Sequence, residues 1–123
     1  MPDRHPALDA MDSYMTAFEA AALEAITRHI PLPITYIAED HVRTMDRYPF
    51  NPAKLKEATG YDHSRVDIDL IAGDAQKAHL RISGTRHRAD GSVIEHIDAV
   101  YILQDRGDGW KIAAFSGVRA AAG

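Results

Sequence analysis

A chain of 123 residues with 46% hydrophobic and 26% charged content is long enough for one real core and too short for two, so a single domain spanning 1–123 is expected. Its net charge of −4 and scattered basic residues exclude a nucleic-acid or anionic-membrane surface, which needs clustered Lys and Arg. With no cysteine there is no disulfide framework, thiolate nucleophile or Cys-based zinc site, and no apolar run approaches the roughly 20 residues of a membrane span. Met1 to Pro6 lacks the apolar core of a signal peptide, so the expected location is the cytoplasm.

In chain order, Met11, Tyr14, Met15, Phe18, Ala22 and Ile26 recur at three- and four-residue steps, which predicts a first helix with one packing face, capped by Asp9 or Ser13. Pro31 and Pro33 must end it. Ile34 to Val42 reads as a short edge strand, since prolines flank it. Asn51 then caps a short helix from Pro52 to Thr59 that Gly60 terminates.

Beyond Gly60 the period changes from 3.6 to 2. From Ser64 to Arg119 the chain reads as four strand-length segments joined by Gly-containing turns at Gly73, at Asp90-Gly91 and at Gly107 to Gly109. Asp90-Gly91 predicts a two-residue type I′ hairpin in which Ala89 faces Ser92. Arg86 then meets Glu95, and Ser83 meets Asp98. One face carries Leu80, Ile82, Ile97, Ala99 and Tyr101 with the Arg86 and Glu95 pair. The other carries His79, Arg81, Ser83 and Thr85 opposite Ile102, Val100, Asp98 and His96. Because this second face gathers ionisable groups at mid-strand, it is expected to turn inward and place the Asp98 carboxylate toward the first helix.

The order of helix, short strand, short helix and four long antiparallel strands resembles the nuclear transport factor 2-like superfamily, which includes ketosteroid isomerases and SnoaL-like polyketide cyclases. The resemblance rests on Ser13-Tyr14-Met15-Thr16-Ala17-Phe18, on His96-Ile97-Asp98-Ala99-Val100-Tyr101-Ile102 and on Gly109-Trp110-Lys111-Ile112. It implies an α+β, cystatin-like barrel with N-terminal helices packed in the concave face of a curved antiparallel sheet, a conical apolar pocket, and homodimers formed through the open face of the sheet. It also implies that Tyr14 resembles the isomerases' oxyanion-hole tyrosine and Asp98 their protonated aspartate, a role that needs a carboxyl pKa raised by apolar surroundings. The isomerases' catalytic carboxylate has no clean counterpart, and Glu39 or Asp40 stands nearest to it.

The candidate catalytic residues are therefore Asp98, Tyr14 and His96, and the candidate ligand contacts are Arg81, Ser83, His79, Phe18, Val100 and Trp110. No cofactor and no metal is expected, because neither a dinucleotide fingerprint, a phosphate-binding loop, a nucleophile elbow nor a tight ligand spacing occurs. Each candidate has a plainer reading. Tyr14 can be a core aromatic, Asp98 an ion-pair partner of Arg81, and both histidines satisfied polar groups. Two functions remain: a small isomerase, cyclase or hydratase working by general acid and base on a hydrophobic molecule, or a non-catalytic ligand-binding or dimerising module.

Overall fold

The structure is a computed structural model that describes residues 4–118. Helix α1 spans Pro6–Glu19 and α2 Leu23–Thr27, followed by strands β1 (Ile34–Ile37) and β2 (Val42–Met45), helix α3 (Pro52–Thr59), and the long strands β3 (Tyr61–Gly73), β4 (Lys77–Arg88), β5 (Val93–Asp105) and β6 (Trp110–Val118). Arg119, the expected end of the last strand, lies outside the described residues. The N-terminal helical stripe is thus two helices. Ala21, at φ 52°, breaks it, a left-handed conformation that a residue with a Cβ adopts at a cost.

The start of α1 corrects another expectation. Neither Asp9 nor Ser13 caps it; the His5 side chain accepts from the Ala7 amide through Nδ1, and Pro6 occupies the first turn, where its missing donor costs nothing. Since Nδ1 accepts, Nε2 carries the proton and donates to the Asp74 carbonyl at 2.8 Å. One neutral histidine therefore fastens α1 to the β3–β4 turn. The second cap is as the sequence indicates: Asn51 accepts from the Lys54 amide at 3.0 Å, and Gly60 ends α3 at φ 78°.

The six strands form one open sheet in the order β2-β1-β6-β5-β4-β3. It is mixed, not wholly antiparallel, because β1 runs parallel to β6. The expected edge strand β1 is internal; β2, unassigned from the sequence, is the edge, and its charged and exposed residues suit that position. Helix α1 touches both β3 and β6, three places apart in the sheet, so the sheet curves around it. Buried Met11, Tyr14, Ala17 and Phe18 meet Leu80, Ile82, Leu103, Ile112 and Phe115 there.

Along the central hairpin Arg86 pairs with Glu95, Gly84 with Ile97 and Ser83 with Asp98, as the sequence indicates. The turn that sets this register is a different one. The Gly91 amide bonds the Arg88 carbonyl and Arg88 pairs with Ser92 through its amide, so the loop has three residues, with Gly91 at φ 88° and Asp90 not in the left-handed region. That is a type I turn followed by a glycine bulge, and a second irregularity between Arg86 and His87 shifts the pairing back by one.

Candidate functional site

With the register fixed, burial decides which face of the sheet looks inward. Leu80 and Ile82 are fully buried and Ala99 nearly so, and they alternate with Arg81, Ser83 and Asp98 along their strands. The apolar face is the concave one.

Asp98 consequently points away from α1, and the expectation that it faces Tyr14 is corrected. Its carboxylate takes a bidentate pair of hydrogen bonds from Arg81, Nε to Oδ1 at 3.2 Å and Nη2 to Oδ2 at 2.9 Å, on the convex face. These bonds hold the Asp98 carboxyl below the usual range, the opposite of what a protonated hydrogen-bond donor requires. Arg81 is also the strand neighbour of Asp69, so three charges lie in a row across β3, β4 and β5. His79, Ser83, Val100 and His96 belong to that same convex face by their strand positions. Trp110 sits at the start of β6, where it meets the His5 ring edge-to-face at 4.9 Å and packs against the core, and it is not among the residues that line the cleft.

An exposed, solvent-screened pair contributes little to folding. Replacing Asp98 with Asn should leave the thermal midpoint near the wild-type value at pH 7. The pair's contribution is present above the ordinary carboxylate range and lost as the pH falls through the lowered value, so wild type and variant should converge in acid; a large loss of stability at neutral pH would assign Asp98 a deeper role.

On the concave face the structure brings together residues that the sequence reading left apart. An open cleft of about 890 Å³ lies between the β1–β2 turn (38–41) and the inner face and one edge of β5. Among the described residues the last β5–β6 pair is Asp98 with Val118. Tyr36, Phe50, Tyr101 and Phe115 form the aromatic walls, with Arg86 and Glu95 at one side and Glu39, Asp40 and His41 at the mouth. Asp98 and His96 also border the cleft, at its rim, where it passes the β5 edge.

Tyr14 and Phe18 lie deeper, around a void of about 20 Å³ that shares Phe50, Arg86, Ile97 and Tyr101 with the cleft. The Tyr14 hydroxyl is hydrogen-bonded to that of Tyr48. Burial raises both phenols well above the usual range, and it pushes Tyr101 up to about 12. All three are therefore neutral donors at ordinary pH and none is a base. Four carboxylates line the cleft, Glu39, Asp40, Glu95 and Asp98; Glu95 is joined to Arg86, and Asp40 accepts from His41 Nδ1 at 2.6 Å and is held below the usual range by that bond.

Tyr36, Tyr48, Phe50, Tyr101, Arg86 and Glu95 were missing from the sequence-derived site. A signal for two of them existed: Arg86 and Glu95 share a face with Leu80, Ile82 and Ala99, and a charged pair on an apolar face calls for an explanation. Among the described residues no cluster of three or more His, Asp or Glu side chains has the geometry of a metal site, and no helix is long and apolar enough to cross a membrane.

Several solved structures share this architecture. An NTF2-like protein from Cytophaga hutchinsonii superposes with a TM-score of 0.67 at 13% identity, covering 98% of this chain and 100% of its own. A ketosteroid isomerase-like protein from Erwinia carotovora atroseptica gives 0.62 at 17% identity over 94% of this chain and 95% of its own. A domain of unknown function with a cystatin-like fold from Nostoc punctiforme gives 0.72 at 11% identity over 93% and 75%. At such identities the likeness is one of fold. No curated protein matches the chain in sequence. Residues 51–120, more than half of the chain and including all four long strands, match the family described as NTF2-like protein (DUF6841), and the chain belongs to that family.

Proposed function

We propose that this protein binds a small, largely hydrophobic molecule in the concave cleft, with no cofactor. The observation that carries the reading is the enclosure of Tyr101 and Phe115 beside a space of about 890 Å³, within the range of small-molecule sites. Aromatic walls supply apolar contact area, while a few polar groups, Arg86, Glu95 and the phenols, are placed to orient a ligand.

A second reading is favoured by one specific observation, the hydrogen bond between Tyr14 and Tyr48 at the inner end. Two linked neutral phenols form a donor system suited to a carbonyl oxygen on which charge develops, and Glu39 and Asp40 at the mouth are carboxylates for proton transfer. On this reading the cleft performs isomerase or hydratase chemistry. A panel of hydrophobic ketones and enones distinguishes the two. If the cleft is catalytic, Tyr14→Phe should lower turnover by about 10²-fold or more, as loss of an oxyanion donor does, with ligand affinity little changed. Binding without turnover in the wild type leaves the non-catalytic reading.

The convex face, with Val100, Ile102, Ala114 and Val118 between its charged rows, is proposed as the surface through which two copies pair. Sedimentation equilibrium at micromolar concentration should give a dimer; monomer throughout would refute the pairing.

A further inference from the structure

We propose that the ligand of this cleft is a ring-bearing carboxylic acid, its carboxylate received by the guanidinium of Arg86 and its ring by Tyr36, Phe50, Tyr101 and Phe115. The inference rests on the reading of the cleft as a small-molecule site and specifies what enters it.

Arg86 is the starting point. It stands on the apolar face of β4, in sequence with Leu80 and Ile82, and its side chain is only 25% exposed. Its guanidinium carbon lies 5.4 Å from the Phe18 ring and 6.0 Å from the Tyr61 ring, so the head group is held between aromatic faces. A cation in such a place is costly unless its donors are used. Among the described residues the chain supplies one acceptor, Glu95, bonded to Nη1. Nε is buried and, among the described residues, has no partner. A buried donor left unpaired carries a desolvation penalty, and in a native protein it marks a place where something else is received.

A small space lies against the Arg86 side chain. The inner void of about 20 Å³ is lined by Arg86, Tyr14, Phe18, Ile97 and Tyr101, and a volume of that order holds a single oxygen-sized atom. It shares four lining residues with the large cleft, so a molecule lying in the cleft can place an oxygen there.

Two features favour a carboxylate over a neutral acceptor. The guanidinium presents a planar fork whose Nε and Nη2 edge matches two carboxylate oxygens, and charge-assisted bonds of this kind are about twice as strong as neutral ones. Glu95, whose side chain is 46% exposed, occupies the Nη1 end and can turn to solvent, which makes it an internal competitor for the same charge. Two of the acidic groups at the rim are already paired with basic groups, Asp40 with His41 and Asp98 with Arg81. The positive field of Arg86 also reaches Tyr101, which lines both spaces and whose protonated hydroxyl is a further donor.

The test is calorimetric titration of the full chain with naphthoate, with the isosteric neutral naphthamide and with naphthylmethylamine. Wild type should bind naphthoate at least about tenfold more tightly than the amide, the step expected of one charge-assisted fork, and the amine most weakly. Arg86→Met should abolish the preference for acid over amide while the amide still binds, and Glu95→Gln should tighten acid binding severalfold. If Arg86→Met does not fold, Arg86→Lys serves, since it keeps the charge and loses the fork, so the preference should fall. Equal affinity for acid and amide in the wild type would overturn the carboxylate assignment and leave the small-molecule reading intact. Binding of neither would remove both.

Discussion

Replacing Gly84 with Ala should unfold this protein or lower its stability by more than about 4 kcal/mol, the range reserved for substitutions that break a backbone arrangement. Gly84 holds φ at 155°, outside the region open to residues with a Cβ, where β4 pairs with β3 opposite Val66. A Cβ built there would lie 2.1 Å from the Arg65 carbonyl oxygen and 2.8 Å from the Val66 Cα, both backbone atoms of the neighbouring strand. Neither can turn aside as a side chain can. Because Gly84 is two residues from Arg86 and pairs with Ile97, any backbone shift that relieved the clash would also displace the inner wall of the cleft. Urea unfolding of the variant checks this, and a midpoint within experimental error of wild type would mean that the two strands are further apart than described.

The second large effect belongs to Phe115. Its ring is 1% exposed and packs against Tyr101 at 4.7 Å, Phe50 at 5.1 Å, and Tyr14 and Tyr48 both at 6.2 Å. Truncation to Ala removes the shared partner of four rings, and the expected cost is about 3–5 kcal/mol, a large part of the 5–15 kcal/mol that holds a typical domain together. Because the same ring is a wall of the cleft, the variant should also lose ligand affinity at temperatures where it remains folded. A loss under 1 kcal/mol in the unfolding free energy would show that the cluster collapses freely around the gap.

The long strands, the α3 caps and the pairing of Arg86 with Glu95 were legible because each rests on local chemistry: period-2 alternation, an Asn-Pro start, a Gly stop and a tight turn. Pairing came out right through two compensating irregularities, a glycine bulge at Gly91 and a shift between Arg86 and His87, neither of which alternation of apolar residues reveals. The direction of the sheet did not follow from its register. Leu80, Ile82 and Ala99 lie on the concave side by ordinary apolar burial, whereas the ionisable character of Asp98 suggested the reverse; an ion pair with Arg81 needs no enclosure. The cleft was hidden for a different reason. Tyr36, Tyr48 and Phe50 come from a segment with short strands and turns, and they reach Tyr14 and Phe115 only through the parallel pairing of β1 with β6, a long-range contact that no local pattern encodes.

Whether ligand enters the aromatic hollow on the inner side of the sheet or rests on the charged outer side is decided by a crystal structure of the protein grown with naphthoate. Density for the ring is expected among Tyr36, Phe50, Tyr101 and Phe115 with the carboxylate toward Arg86. Density instead on the outer side, against Arg81, Ser83 and Val100, with the hollow filled by solvent alone, would contradict this placement.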